Sequence, residues 1–352
     1  MMYFKHLSNR KFGGWINFID MKKLIICIAL CSLFSCEKAL FEEDMASTDP
    51  KVNFEYLWKE CNEKYSYFEL KNIDWDAIKS KYEVKIFDGM SQDSLFNVLG
   101  AMLTELKDDH TNLISNFNVS KFGVKYLGQD NFDWRIIEDH YLNQDYYTSG
   151  PFKHNFIDNG NIGYVRFASF PGTIDGANFG FVLNRYKNTK GLILDLRENG
   201  GGAVSDVFNL LNRFVESKTL INYSRIKSGP EHNDFSEDEP VYISPYNGIR
   251  YKNKVAVLTD RGTYSAGSFT ALATKALPNL MLIGDTTGGG LGLPNGGQLP
   301  NGWFYRFSVT QALTLDKNPD YENGVPPDIK VLFNWGDLTK DEIIERSILE
   351  LQ

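Results

Sequence analysis

An α/β core preceded by a small helical module is the architecture this sequence predicts, on three observations. From residue 161 to residue 284, strand-like runs alternate with amphipathic helical ones. Two of those runs, 191–196 and 255–259, are continuously apolar, the mark of strands buried on both faces. Ahead of them, residues 51–111 carry apolar side chains at three- and four-residue spacing, which is helical.

In the module, Phe54, Leu57, Trp58 and Cys61 fall on one helix face. Asp74-Trp75-Asp76 opens a second helix with an acidic first turn. Ser91 caps a third, whose apolar face is Leu95, Val98, Leu99, Met102, Leu103 and Leu106. The module ends at Asp108-Asp109-His110-Thr111. Residues 112–160, aromatic and rich in Asn and Asp, read as short strands and loops. In the core domain, 161–352, strands are expected at 162–167, 191–196, 255–259 and 280–284, with helices at 177–187, 204–214 and 265–277. Pro278 stops the last of these helices. Thr339-Lys340-Asp341-Glu342 reads as a capping box opening a terminal helix.

The N-terminus carries its own signal. Met21-Lys22-Lys23 precedes an apolar run, 24–34, that is too short to span a bilayer and ends at Ser35-Cys36. Leu33-Phe34-Ser35-Cys36 resembles a lipobox, which implies cleavage and acylation at Cys36. Residues 1–20 then read as the product of an upstream start choice. The expected product is exported and lipid-anchored in the cell envelope, with residues 36–50 as a polar tether. Removing residues 1–35, with five basic residues and one acidic, leaves 32 basic and 44 acidic, a net charge of −12. That balance, without any Lys/Arg cluster, excludes a nucleic-acid partner. Cys27 and Cys31 belong to the signal and Cys36 to the lipid, leaving Cys61 as a core residue. Neither a disulfide framework nor a cysteine-rich metal site is expected.

Three local features can carry chemistry. Ser265 stands at a strand-to-helix junction, where free N–H groups and the helix dipole favour negative charge. On local evidence alone a helix N-cap is the favoured reading, and Thr263-Tyr264-Ser265 lacks the Gly-x-Ser-x-Gly elbow pattern. Gly200-Gly201-Gly202 follows a buried strand, at the end of the sheet where α/β folds bind ligands. Alone it is a flexible turn. His110, beside Asp108 and Asp109, is the natural base among four histidines beyond the signal; His140, His154 and His232 lie in polar stretches expected to be exposed. Its own alternative is a charge at a helix C-terminus.

In order along the chain stand Leu106-x-Asp108-x-His110-Thr111, then Gly191 to Asp195 with Leu196-Arg197-x-Asn199-x-Gly201-Gly202, then Thr263-Tyr264-Ser265-Ala266-Gly267, then Glu322-Asn323-Gly324-Val325-x-Pro327-Asp328. This ordered set resembles the C-terminal processing and tricorn-core peptidases, over nearly all of the chain beyond the tether. The resemblance implies a ClpP/crotonase-like core of ββα units and a serine peptidase that cleaves peptides or proteins with no metal or cofactor. It implies Ser265 as nucleophile, His110 as base, Glu322 as the group orienting His110, and Ala266 with Gly201 as oxyanion donors. One branch of the family uses a lysine base after the serine helix. Here that loop, 286–292, has no lysine, and Lys275 is too far along the serine's own helix. Where the tricorn branch has a serine before its histidine, this chain has Asp109. The span from His110 to Ile162 is too short for a PDZ domain of the usual size. The alternative to an enzyme is a catalytically silent peptide- or glycan-binding lipoprotein of the same fold; Phe132, Trp134, Tyr141, Tyr146 and Tyr147 would line its surface, although core packing explains them equally.

Overall fold

The computed structural model describes residues 46–352. The lipobox, Cys36 and the tether up to residue 45 lie outside the described residues. The chain begins with α1 (Pro50–Lys64), α2 (Trp75–Glu83) and α3 (Gln92–Thr104). Each has a side-chain cap. Asp49 accepts the amides of Lys51 and Val52, Asp74 that of Ala77, and Ser91 that of Ser94. Strand β1 (Asn112–Ile114) follows a turn, and then a short helix, α4 (Trp134–Ile137), runs into a wider turn through Leu142.

The main sheet is built next, from β2 (Tyr147–Ser149), β3 (Phe152–Ile157), β4 (Ile162–Phe167) and, after α5 (Asn178–Tyr186), β5 (Gly191–Asp195). Helix α6 (Val204–Leu211) leads to two strands outside that sheet, β6 (Thr219–Ile226) and β7 (Glu239–Ile243). Strand β8 (Lys254–Thr259), helix α7 (Ala266–Thr274) and β9 (Leu280–Gly284) return to it. Then come β10 (Pro294–Gln298), β11 (Phe304–Ser308), β12 (Thr310–Leu313), the short β13 (Ile329–Lys330) and α8 (Glu342–Leu351).

The seven-stranded sheet has the order β13-β9-β8-β5-β4-β3-β2, parallel from β13 to β4 and antiparallel at β3 and β2. Its central strands are buried on both faces, and alternate residues serve different cores. Leu192 and Leu194 of β5, with Val255 and Val257 of β8, pack under α5, α6 and α7. Ile193, Ala256 and Leu258 point the other way, against Ile343 and Ile344 of α8. A third core joins the helical module to β11, with Phe54, Leu57 and Cys61 packed near Tyr305 and Phe307. Strand β1 pairs with β11, so the segment bearing His110 is tied into a sheet with the far end of the chain.

Three expectations need correction. The terminal helix is capped by Asp341 rather than Thr339. Its carboxylate accepts the amides of Ile343 and Ile344 and also ion-pairs with Arg197 at 2.7 Å, so this cap is fully buried. His154 is buried rather than exposed: on β3 its ring lies between Ser149 and Tyr186, and that burial pushes its pKa down to about 4. Of the aromatics between 130 and 147, Phe132, Trp134, Tyr141 and Tyr146 pack against the core beside α8, and only Tyr147 is exposed.

Candidate active site

The site lies at the carboxyl ends of β5 and β8, where a parallel sheet leaves a crevice. Beyond β8, Asp260 closes a turn by accepting the amides of Thr263 and Glu198, and the Thr263 hydroxyl bonds the Leu196 carbonyl. Tyr264 and Ser265 are then held from two sides. The Tyr264 amide donates to Asn199 of the glycine loop, and the Ser265 amide to Gly289 of the loop after β9.

Ser265 has φ 55° and ψ −118°, a conformation non-glycine residues seldom adopt, at a cost of about 1–3 kcal/mol. The sequence lacks the glycine pattern of a nucleophile elbow, yet the backbone makes the same sharp strand-to-helix turn. The hydroxyl makes no cap bond to its helix. It points instead to His110, whose Nε2 lies 3.0 Å from Ser265 Oγ. Two segments 155 residues apart therefore supply one hydrogen-bonded pair.

His110 sits in the turn between α3 and β1, beyond the end of the helix, so it is not a helix-terminal charge. Its Nδ1 is 2.7 Å from the Gly292 carbonyl. A carbonyl only accepts, so Nδ1 carries the proton and Nε2 presents its lone pair to the serine hydroxyl. The Asp108 carboxylate accepts the His110 amide at 2.8 Å and the Tyr264 hydroxyl at 3.0 Å with one oxygen. Its other oxygen accepts the Ser308 hydroxyl at 2.9 Å. The carboxylates beside His110 do not raise its pKa overall. Burial lowers it below 6.5, outweighing Asp108 and the Gly292 carbonyl, so the imidazole is neutral near pH 7.

Glu322 does not touch His110. It is buried, and one carboxylate oxygen accepts the amides of Leu291 at 2.7 Å and Gly292 at 3.1 Å. The peptide it grips is thus continuous with the carbonyl that orients the imidazole. Asp109, where a relaying serine stands in the tricorn branch, turns away to accept the amides of Gly123 and Val124. Lys275 is paired with Asp328 at 2.6 Å.

Ala266 begins α7, and its amide donates to no group among the described residues, as suits an oxyanion donor. Gly201 is pressed against Ser265: a Cβ there would come within 2.7 Å of Ser265 Cβ and 2.9 Å of Ala266 N, and its φ is +94°. Its amide, however, donates to Asn199 Oδ1 at 2.9 Å. The expectation of Gly201 as second donor is therefore corrected. The amides of Gly200 and Gly202 are the ones in this run with no partner among the described residues.

Beside Ser265 opens a cavity of about 170 Å³, walled by Val204, Phe208, Phe269, Leu291 and Ala312 among others. Gly292 entered the sequence reading only as part of a loop without lysine. Its role rests on a backbone carbonyl, which every residue has, so composition offered no signal for it.

Residues 161–331 match peptidase family S41, and residues 46–104 match the tricorn protease C1 domain. A solved structure from Parabacteroides merdae, assigned as a peptidase, is 38% identical, covers 87% of this chain and 97% of its own, and superposes with a TM-score of 0.83. The carboxy-terminal processing protease CtpA of Bacillus subtilis is 28% identical over 171 residues, 48% of this chain and 35% of that one. The nisin-resistance protein of Lactococcus lactis is 28% identical over 172 residues, 44% of this chain and 51% of that one. The chain thus spans about a third to a half of the length of these curated relatives. With this match, fold and site in hand, the chain belongs to the serine-type peptidases of family S41.

Proposed function

We propose that the chain is a serine endopeptidase, exported and lipid-anchored through Cys36, that hydrolyses peptide bonds with Ser265 as nucleophile and His110 as general base. The observation that carries this reading is the 3.0 Å approach of His110 Nε2 to an uncapped hydroxyl on a strained backbone. Ser265 Oγ attacks the substrate carbonyl while Nε2 takes its proton. The tetrahedral oxyanion is met by the Ala266 amide and a free amide of the glycine run. The imidazolium, facing Asp108 and the Gly292 carbonyl, then protonates the departing amine. Water, deprotonated by the same imidazole, releases the acyl group and restores the serine.

The apolar walls of the cavity beside Ser265 favour an aliphatic or aromatic side chain next to the cleaved bond. The membrane attachment rests on the lipobox-like Leu33-Phe34-Ser35-Cys36.

A fluorophosphonate probe tests the chemistry. Labelling of the wild type, lost in Ser265→Ala and strongly slowed in His110→Gln, is the expected result. Equal labelling of wild type and Ser265→Ala refutes it. Tight peptide binding without any cleavage would favour the silent binding protein instead. Radiolabelled palmitate incorporation, lost in Cys36→Ser, tests the anchor.

A further inference from the structure

Lys71 takes no part in the mechanism above, and its position is unusual for a lysine. It lies in the turn between α1 and α2, with its side chain only 4% exposed. Its ammonium sits 3.8 Å from Asp108 Oδ2 and 3.8 Å from Glu322 Oε1. It donates to the carbonyls of Leu106 at 3.2 Å and Lys107 at 3.3 Å, and lies over the rings of Tyr65 and Tyr67. Burying an ammonium is costly unless opposite charge repays it. Here one of the carboxylates that repay it accepts the His110 amide, and the other grips the peptide beside the carbonyl that orients the imidazole.

We propose that Lys71 is a positioning residue for catalysis: its buried ammonium, placed between Glu322 and Asp108, favours their charged forms and so steadies the Gly292 carbonyl on His110. The inference rests on the peptidase reading of the same site and adds a residue to it. The chain of contacts is continuous. Lys71 faces Glu322 Oε1, Glu322 Oε2 accepts the Leu291 and Gly292 amides, and the Gly292 carbonyl accepts His110 Nδ1–H. On the other branch Lys71 faces Asp108, which accepts the His110 amide. An ionised carboxylate grips two amides through charge-assisted bonds roughly twice as strong as neutral ones. A protonated Glu322 would loosen the peptide that orients the imidazole.

The other charged and titratable groups around the cluster leave this role to Lys71. Against Glu322 stand Lys71, Asp108, Tyr65, Tyr67 and Tyr264; against Asp108 stand Lys71, His110, Glu322, Tyr65, Tyr67, Tyr264 and Cys61. Asp109 and Arg306 act on His110 from outside. Among these, Lys71 is the cation buried between the two carboxylates. Burial pushes Glu322 up to about 7 even with Lys71 pulling down, whereas Asp108, equally buried, is held below the usual carboxylate range by Lys71, His110 and its hydrogen bonds. Removing the ammonium leaves two buried carboxylates facing one another, and a proton must enter.

The test compares wild type, Lys71→Met, Lys71→Arg, Glu322→Gln and Lys71→Met/Glu322→Gln. Activity is followed on a peptide substrate across pH. Imidazole ¹⁵N NMR, with His110 assigned through His110→Gln, follows the Nδ1 proton without turnover. In Lys71→Met, kcat is expected to fall about 10- to 100-fold with KM little changed, the usual scale for losing an outer partner of an oriented histidine. The acid limb of its pH profile should move upward, and its His110 Nδ1–H signal should broaden or shift. Lys71→Arg should recover part of the rate. In the Glu322→Gln background, Lys71→Met should cost several-fold less than alone, because the neutral amide has no charge to compensate.

An unmoved pH limb and an unaltered Nδ1–H signal in folded Lys71→Met would overturn the inference. So would full additivity in the double variant. If the wild type neither cleaves peptide nor labels with fluorophosphonate, the peptidase reading fails, and the NMR signal still decides whether Lys71 holds His110.

Discussion

Adding one methyl group at Gly201 tests the packing of the nucleophile directly. The φ of +94° places an L side chain in a left-handed conformation, at a cost of about 1–2 kcal/mol. The new Cβ would also meet Ser265 Cβ at 2.7 Å, the Tyr264 carbonyl at 2.8 Å and the Ala266 amide at 2.9 Å. Two of those three atoms are backbone and cannot step aside as a flexible side chain can. Overpacking of this kind costs a further ~1–3 kcal/mol. Together Gly201→Ala is expected to lose about 2–5 kcal/mol, which lowers Tm by about 4–10 °C at ~2 °C per kcal/mol. The displaced atoms belong to Ser265 and Ala266, the proposed nucleophile and oxyanion donor, so the fluorophosphonate labelling rate should fall by about 10²- to 10³-fold in protein that is still folded. Scanning calorimetry and time-resolved labelling read the two effects. Gly180→Ala is the control, since its Cβ meets nothing within 4 Å on helix α5 and should leave Tm unchanged or slightly raised. A Gly201→Ala protein that melts and labels like wild type would refute the tight packing of the glycine loop on Ser265.

Three further outcomes follow from the site and its supports. Glu322 must be ionised to grip the Gly292 peptide, so kcat/KM should rise with pH through about 7; in Glu322→Gln that step should vanish, exposing the His110 ionisation below 6.5 in a much less active enzyme. Arg197→Met should destabilise by about 3–5 kcal/mol in urea unfolding, because it strands the buried Asp195 and Asp341 carboxylates; an unchanged unfolding midpoint would show that pairing to be dispensable. Ala312→Leu should fill the cavity beside Ser265 and raise KM about 10-fold or more for peptides with a large apolar residue at the cleavage point, with Ser265 still labelled; unchanged selectivity would place the subsite elsewhere.

What the sequence made legible follows from how each signal is carried. The four central strands of the main sheet, β4, β5, β8 and β9, are legible, and 191–196 and 255–259 most plainly, because they bury both faces and have no polar alternation to confuse them, whereas β2, β3 and β13 at the edges are not placed individually. The strands at 219–226, 239–243, 294–298, 304–308 and 310–313 were not read. Pro294-Asn295-Gly296-Gly297-Gln298, for example, has no apolar face at all and is strand only because β11 pairs with it. Ser265 and His110 were legible because their functions need particular side chains. The Gly292 carbonyl, the free amides of the glycine run and the strained φ of Ser265 were not, since backbone atoms leave no trace in residue type. Lys71 was hidden for another reason: a lysine in a polar turn is expected in solvent, and only the fold brings two carboxylates to it.

The His110–Ser265 pair also bears on when a nascent chain becomes dangerous to its surroundings. His110 precedes Ser265 by 155 residues, and Glu322, which grips the peptide beside the carbonyl on the imidazole, comes 57 residues later still. A polypeptide emerging amino end first therefore carries the imidazole without its hydroxyl partner until Ser265 has been added. The pair can therefore form only once the segments bearing Ser265 and Glu322 have been made and folded against the one bearing His110.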